Sequence, residues 1–446
     1  MIYKPAFMKQ TVLAMVFLLS CLPGLRAQAP RSLTLEEAVK MGLDNSKQLR
    51  QSKNKITEAL TRLDQTRDAQ LPSAKVSFQY LHALMLAREF MIPGFTQKPL
   101  ELPFDFPAYL GTLGITEPIF AGNKFKYARK SADLMVQLSK LDADKDKEDV
   151  TFLIVEAYIN YNKILQNEQI VQKNMEDVDQ KLAEITKYES QGLATKNDVL
   201  RFQLQKSQIQ LQEIDLEDNR KVANYNMDIL LGLPETTDLT LSGMNYKLEE
   251  HPAFDELVTE ALTGRRELQD LTYQDRIADI NIKQIQDQRP PTLAATAGMY
   301  YINPTGKPIP TDHTVLAPIT LGVGVSWDIA TLYTNKNKVR EVQVQKQEIQ
   351  TSRDDAQDKI REDVHQAYLG YLQSLEKIQV LQVAVDQAEE NERITESKFQ
   401  NNLANTTDRI DAQTLLYQSR VNLEVAKSDA TIAYYTMLKS TGNIHF

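Results

Sequence analysis

At residues 319–327 the chain reads ITLGVGVSW, in which Ile, Leu, Val, Val and Trp alternate with Thr, Gly, Gly and Ser. Strict alternation with a period of two is typical of a β-strand that has one apolar and one polar face. Three other stretches alternate in the same way, around residues 75–80, 112–116 and 292–301. The sequence therefore predicts four strands, each with about the 9 to 11 residues that a tilted strand needs to cross a membrane.

The predicted strands have two possible settings: a membrane barrel, or soluble hairpins that pack on a helical core. Small or polar residues at the alternate positions suit a water-filled lumen. Aromatic side chains stand near the strand ends, where membrane barrels carry an aromatic girdle. We predict this girdle at Tyr80, Tyr109, Tyr301 and Trp327. Four strands cannot close a barrel, and lipid does not tolerate an open sheet edge, so several copies must share one barrel.

A duplication organises the rest of the chain. Residues 35–49 run parallel to residues 254–268 at an offset of 219, and Pro72 falls on Pro291 at the same offset. Later pairs share an offset of 210: Tyr158 with Tyr368, Leu193 with Leu403, Asp198 with Asp408, and Gly232 with Gly442. The change of offset falls where the first half has a longer Pro-rich segment, at residues 93–107. We therefore predict a two-fold internal repeat.

Long helices are predicted in both halves. Apolar residues recur in alternating steps of three and four, which is typical of a coiled-coil seam, as in Val171, Met175, Val178, Leu182 and Ile185. No proline interrupts residues 123–189, so one helix there would be roughly 100 Å long. The pattern returns at residues 337–399, and shorter returning helices are predicted at 195–231 and 406–440. The predicted fold class is mainly α with a membrane β-barrel: two long helical hairpins and four strands per protomer.

The predicted domain division has three parts: a signal peptide at 1–27, a first repeat at 28–250 and a second repeat at 251–446. Each repeat reads as a helix, a strand pair at about 74–117 or 291–327, and a helical hairpin at about 121–231 or 333–441. In the signal peptide, Lys4 and Lys9 precede an apolar run that is too short for a span of ~20 residues. Cys21, the only cysteine, is either the lipidated first residue of the mature chain or is removed with the signal.

Composition and motifs disfavour several classes of function. The net charge of −9 provides no basic surface for nucleic acid. The sequence lacks His-Glu-x-x-His, Gly-x-Ser-x-Gly and phosphate-loop motifs, and its five histidines lie far apart. We interpret acidic clusters such as Asp142, Asp144 and Asp146 as a solvated helix face. We therefore predict no catalytic site, no metal site and no cofactor.

The duplicated halves, each with two strands and a long hairpin, resemble the TolC-type outer-membrane factors over essentially the whole mature chain. The resemblance implies a homotrimer with a twelve-stranded barrel in the outer membrane and a helical tunnel in the periplasm. It also implies a periplasmic adaptor protein and an inner-membrane transporter of the RND or ABC class as partners. The implied function is passive export of small molecules, and the chain is not expected to be an enzyme.

The resemblance also implies two local sites. The hairpin turns, Gly192-Leu193 and Asn402-Leu403, match the tips that contact the adaptor. Asp408 and Asp411 match the paired aspartates of the periplasmic gate, and they share one helix face because they are three residues apart. Asp198 matches another gate aspartate, and Phe399 stands where the family often has tyrosine. Ala404 departs from the pattern, because the arginine of the gate is missing there.

Two other functions fit the sequence. One is a duct for type I protein secretion, because the cargo of such a pore is selected by its inner-membrane partner. The other belongs to a different class, a secreted soluble coiled-coil scaffold whose strands only cap its helices. The two faces of the strands discriminate the scaffold from the duct.

Overall fold

The computed structural model describes residues 31–84, 89–90, 100–101, 105–242, 252–304, 316–444 and 446. The predicted signal peptide, Cys21 and the predicted boundary between the repeats at residue 250 lie outside these ranges. The described helices are α1 (Leu35–Asn45), α2 (Lys47–Asp68), α3 (Lys124–Ser190), α4 (Lys196–Leu231), α5 (Phe254–Gly264), α6 (Arg266–Gln286), α7 (Thr331–Gln400) and α8 (Thr406–Thr441). The described strands are β1 (Arg31–Leu33), β2 (Ser73–Leu84), β3 (Glu89–Phe90), β4 (Leu100–Glu101), β5 (Asp105–Phe120), β6 (Leu239–Leu241), β7 (Thr292–Pro304) and β8 (Ile319–Ser326).

The four predicted strands form one antiparallel sheet in the order β2-β5-β7-β8. Directly paired residues lie on the same face of a sheet, so the register decides whether the alternation of each strand matches that of its neighbours. The alternation does match across all four strands, because Val76 pairs with Leu113, Leu113 with Met299, and Met299 with Ile319. The apolar positions of all four strands therefore form one continuous face, and the Ser, Thr and Gly positions form the other.

The long helices agree with the sequence prediction. Helix α3 has 67 residues and α7 has 70, so each is roughly 100 Å long at about 1.5 Å per residue. Both returning helices have 36 residues and end at a left-handed glycine, Gly232 in α4 and Gly442 in α8. A residue with positive φ stops a helix, and glycine adopts this conformation without a steric penalty. Each half therefore contains one asymmetric hairpin of a long and a short helix.

The helices pack as one layer. Near the sheet, α3 packs against α2 and α6, and α6 also packs against α7. Toward the hairpin tips, α4 packs on α3, α3 on α8, and α8 on α7. At the start of α3, the Asp287 carboxylate from the end of α6 accepts hydrogen bonds from the backbone and side-chain amides of Asn123. The second half thus fixes the point where the first long helix leaves the sheet.

A buried network attaches residues 31–33 to the first hairpin. Strand β1 pairs in parallel with β6, which follows α4. The Tyr158 hydroxyl of α3 donates to the Leu33 carbonyl oxygen at 2.9 Å. The Asn224 side chain of α4 accepts the Leu239 amide at 3.0 Å and the Tyr161 hydroxyl at 3.0 Å. These bonds satisfy buried polar groups, so the two-stranded sheet is held tightly on one face of the helix layer.

One carboxyl group beside this network is fully buried. Asp228 is 0% exposed, and its Oδ2 accepts the Asn224 side-chain amide at 3.1 Å. Burial raises the pKa of Asp228 from 3.8 to about 6, against an opposing hydrogen bond from the Thr237 backbone, and Asp238 adds to the rise. A raised carboxyl pKa favours the folded state below pH 3.8, and this stability is lost as pH rises through about 6.

Asp228→Asn should remove this pH dependence. As pH rises from 4 to 7, we expect the free energy of unfolding of the wild type to fall relative to that of Asp228→Asn, by at most about 3 kcal/mol. Thermal unfolding of the purified protein across this pH range measures the difference. Asp144→Asn, at an exposed side chain on α3 that does not act on Asp228, is the control and should follow the wild type. Parallel pH profiles for the wild type and Asp228→Asn would contradict the assignment.

Candidate functional site

The two hairpin tips have the same backbone turn. Gly192 has φ 73° and Asn402 has φ 59°, and Asn402 is the only non-glycine residue with positive φ among those described. Asparagine tolerates this conformation better than most side chains. After each of these residues, the next amide reaches back to the last helical turn, from Leu193 to the Tyr188 carbonyl oxygen and from Leu403 to that of Lys398, both at 2.8 Å. These bonds satisfy carbonyl groups at the end of each long helix.

Each tip presents one leucine to solvent. Leu193 is 73% exposed and Leu403 is 77% exposed. A Cβ atom at Gly192 would have no neighbouring atom within 4 Å, so the turn is open on its outer side. An apolar side chain at the end of a rigid hairpin is available for contact with a partner. The four tip residues predicted from the resemblance therefore form two equivalent exposed surfaces.

Two of the predicted gate aspartates cap the returning helices. The Asp198 carboxylate accepts the Thr195 amide at 2.9 Å, and the Asp408 carboxylate accepts the Asn405 amide at 3.0 Å. The Thr195 and Asn405 side chains accept the amides of the same aspartates, so each tip closes with a reciprocal capping box. Asp198 and Asp408 therefore stabilise the first turns of α4 and α8.

The environment of Asp198 favours its charged form. Partial burial opposes ionisation, but hydrogen bonds from Thr195 outweigh it, and the Thr406 hydroxyl adds another from the neighbouring tip. Together they lower the pKa of Asp198. Thr406 precedes Asp408 in the first turn of α8, so this contact also joins the two hairpin tips.

The other predicted gate residues have different environments. Asp411 is exposed and forms no hydrogen bond or ion pair with any residue that the structure describes. Phe399, in the last turn of α7, stacks on Tyr188 of α3 with ring centroids 6.5 Å apart. The guanidinium of Arg409 lies over the Phe399 ring, 4.6 Å from the ring centroid. Within one chain, the structure thus brings Phe399 to Arg409 and leaves Asp411 facing solvent.

Arg409 is a site residue that the sequence analysis missed. It is 3% exposed, and it binds Glu396 of α7 through Nε and Nη2 at 2.6 and 2.8 Å. Its Nη2 also donates to Glu184 of α3 at 2.6 Å. Bidentate pairing of a guanidinium with a carboxylate is among the strongest ionic contacts in proteins. Arg409 therefore locks α8 to both long helices, although Ala404 replaces the arginine that the resemblance leads one to expect.

The repeat contains the signal that would have revealed Arg409. At the offset of 210, Arg409 falls on Val199, which is 2% exposed in the first hairpin. A charged residue at the position of a buried valine requires a buried charged partner. Lys181 continues the cluster, with its Nζ 2.7 Å from Glu392 and 4.0 Å from Glu396. A cavity of about 540 Å³ between the hairpins is lined by these charged side chains.

Three of the predicted girdle residues, Tyr80, Tyr109 and Tyr301, lie on the apolar face of the sheet, and Trp327 directly follows β8. Tyr80 pairs with Tyr109, with ring centroids 5.2 Å apart, and Tyr301 is near the same end of β7. Trp327 stands at the opposite end, next to the helices, where its indole donates to the Arg289 carbonyl oxygen at 2.9 Å. Ser326 pairs with Thr292, so the two aromatic levels are roughly 30 Å apart along the strand. At a tilt of about 40° this is roughly 23 Å, close to the height of a membrane apolar band.

No helix in the described ranges is both long and apolar enough to span a bilayer. Those ranges also contain no group of three metal-ligating side chains in a suitable arrangement.

One family model matches the second half of the chain. Residues 257–443 match the family model described as outer membrane efflux protein. This segment includes α7, α8 and the strands β7 and β8. A comparison with curated proteins gave no match.

Solved structures extend the efflux-protein fold to nearly the whole chain. The outer-membrane channel OprN matches with a TM-score of 0.71 and 14% identity, over 92% of this chain and 90% of its own. VceC from Vibrio cholerae gives 0.68 and 13%, with coverage of 92% and 96%. The open state of the MtrE channel from Neisseria gonorrhoeae gives 0.69 and 14%, with coverage of 92% and 88%. This chain therefore shares the fold of these solved structures.

Replacing Arg409 should destabilise the efflux-protein fold far more than replacing a surface arginine. Arg409→Gln leaves two carboxylates without their partner, and we expect a loss of about 3 kcal/mol. Arg420→Gln is the matched control, because Arg420 pairs with Glu389 at 2.8 Å while both side chains are substantially exposed, and should cost about 1 kcal/mol or less. Thermal unfolding of the two variants provides the comparison. Equal losses would show that Arg409 is not the lock.

Proposed function

We propose that three copies of this chain form an outer-membrane duct that passively exports small molecules in a tripartite efflux system. The observation that carries the proposal is the four-stranded sheet, which has a continuous exposed apolar face and two unpaired edges. In lipid, the apolar face is favourable, but every edge amide and carbonyl must be paired. Further copies of the chain supply those partners.

The two edges are complementary in position. Strand β2 of the first half forms one edge and β8 of the second half forms the other. The helix layer has the same order, with α4 of the first half at one side and α7 of the second half at the other. A single rotation therefore brings β2 and α4 of one copy against β8 and α7 of the next. Head-to-tail contacts of this kind close into a ring, and three copies give the twelve strands expected from the resemblance.

Both edge helices carry unpartnered apolar stripes. On α4 the stripe comprises Leu200, Leu204, Leu211, Ile214, Val222, Tyr225 and Ile229, all at least 45% exposed. On α7 it comprises Leu369, Val380, Val383 and Ile394. At about 100° per residue, each set falls within an arc of roughly 80°, so each is one face of its helix. Packing α4 against the neighbouring α7 would cover both stripes along the tunnel wall.

The hairpin tips support the roles proposed for the periplasmic end. Leu193 and Leu403 would contact the helical hairpins of an adaptor protein, which connects the duct to an inner-membrane transporter of the RND or ABC class. In the trimer, Asp408 and Asp411 would each form a ring of three carboxylates at the aperture. Such rings attract cations and repel one another, so they would set ion selectivity and influence opening. Arg409, whose guanidinium lies over the Phe399 ring, would hold α8 in the closed arrangement of the aperture.

Disulfide cross-linking tests the shared barrel. Cysteine at Lys75 on β2 is combined with cysteine at Thr320, Gly322 or Gly324 on β8, which samples the possible registers. We expect one combination to give covalent dimers and trimers on denaturing gels. Lys75→Cys with Thr296→Cys is the control, because β5 separates these positions within the chain and β7 is not an edge strand. Monomers for all three β2–β8 combinations would contradict the shared barrel.

Charge at the tips tests the adaptor contact. Leu193→Asp combined with Leu403→Asp should reduce efflux of a fluorescent substrate at least about tenfold, because two desolvated charges would face the adaptor. The trimer and its single-channel conductance in planar bilayers should remain as in the wild type. Leu200→Asp is not a suitable control, since it lies in the proposed subunit contact. Gln191→Asp with Asn401→Asp places the same charges beside the tip leucines and should have a smaller effect.

A further inference from the structure

Both long helices leave the sheet at the level of its lower aromatic residue. Phe120, at the end of β5, pairs with Leu293, and Ser326, which precedes Trp327, pairs with the adjacent Thr292. The first turns of α3 and α7 therefore begin where the apolar face of the sheet ends. In the proposed barrel this is the headgroup region of the periplasmic leaflet, which is roughly 5 to 8 Å deep.

The first three turns of each helix carry a repeated set of basic side chains. Lys126, Arg129 and Lys130 lie in α3, and Lys336 and Arg340 lie in α7. At the repeat offset of 210, Lys126 falls on Lys336 and Lys130 on Arg340, so both halves have the same pair at i and i+4. No acidic residue occurs at 124–132 or 331–340, although the chain has a net charge of −9. We name these five residues the basic collar.

The charges of the collar are not neutralised within the chain. All five residues are exposed, and none makes an ion pair or side-chain hydrogen bond with the part of the chain that the structure describes. Elsewhere on the same helices, some lysines pair with carboxylates, such as Lys145, Lys181 and Lys346, whereas others are exposed and make no ion pair with the described residues, as the collar residues do. Arg129 and Lys130 also line a groove of about 580 Å³, in which the basic side chains outnumber the two carboxylates, Asp133 and Asp279. The collar thus has an unmatched positive charge and a concave surface.

The helix phase indicates that the collar faces outward. Lys126, Arg129 and Lys130 precede Val155, Tyr158 and Ile159 by about eight turns, so they lie on nearly the same face of α3. The latter three pack against Leu33, Leu35 and other residues of β1 and α1. In a tube of helices, these extra elements fit on the outside, because on the inside they would fill the lumen. The collar therefore lies on the outer surface, next to lipid.

We propose that the basic collar binds the anionic headgroups of phospholipids in the periplasmic leaflet. This proposal rests on the proposed function, since it requires the sheet to span a membrane. Each basic residue near an anionic membrane surface contributes about 1 kcal/mol, which corresponds to about a fivefold preference for an anionic lipid. The trimer would present the repeated pair six times around its circumference. The collar would fix the depth of the barrel and surround it with anionic lipid.

Electron paramagnetic resonance with spin-labelled lipids tests this directly. The trimer is reconstituted in phosphatidylcholine vesicles that contain a trace of spin-labelled phosphatidylglycerol or phosphatidylcholine, and the motionally restricted fraction of each is measured. The collar variant is Lys126→Gln, Lys130→Gln, Lys336→Gln and Arg340→Gln. The matched control removes the same charge from exposed lysines far from the sheet: Lys187→Gln, Lys359→Gln, Lys377→Gln and Lys398→Gln.

The wild type and the control should restrict phosphatidylglycerol about fivefold more strongly than phosphatidylcholine, and high salt should weaken this preference. The collar variant should show a preference close to one, and a variant that lacks only the Lys126/Lys130 pair should fall between the two. A collar variant with the wild-type preference overturns the proposal and leaves the membrane barrel standing. If no lipid of either kind is restricted in any variant, the membrane barrel itself is overturned.

Discussion

The hydrogen-bonding groups at the edges of the four-stranded sheet impose the constraint on which the rest of the structure depends. A sheet with an apolar face exposed on every strand is suited to lipid, but lipid offers nothing to an unpaired amide or carbonyl. Four strands leave two edges, and a sheet this narrow cannot curl into its own barrel. In the proposed assembly, each chain therefore contributes only part of the barrel. Neighbouring copies supply the remaining strands.

The duplication explains how one chain can supply matching edges. Each half contributes two strands and one hairpin, and the first half forms one edge of both layers while the second half forms the other. The two hairpin tips differ in sequence at several equivalent positions. Gly192 and Thr195 correspond to Asn402 and Asn405, which keep the same turn and cap. Val199 and Arg409 differ in kind, because the second hairpin replaces an apolar core contact with an ionic lock to α3 and α7. The buried arginine therefore occurs only in the second hairpin, although the first half contributes one of its partners, Glu184.

The sequence predicted most of the fold because its periodic signals are local and repeated. The period-two alternation of residues 319–327 and the absence of proline from 123–189 each follow directly from backbone geometry. The alignment of apolar faces across β2, β5, β7 and β8 required the register, which no single strand determines. At the site, the positive φ values at Gly192 and Asn402 were predictable from residue type. The capping roles of Asp198 and Asp408 fit a reciprocal box that the spacing allows, but they were read only as gate residues.

Arg409 shows why the rest could not be predicted. Its neighbours in sequence, Asp408 and Asp411, are solvent-facing, so the local pattern indicates an exposed helix. Its burial depends on two carboxylates from other helices: Glu396, which is 13 residues away across the hairpin turn, and Glu184, which is 225 residues away. Only the three-dimensional packing of both hairpins brings these groups together.

Hydrogen–deuterium exchange of the edge strands in native membranes tests the central claim most directly. If neighbouring copies complete the barrel, the backbone amides of β2 and β8 will exchange as slowly as those of the central strands β5 and β7. If the amides on the outer edges of β2 and β8 exchange much faster than those of β5 and β7, the edges are unpaired and the chain does not form a shared barrel.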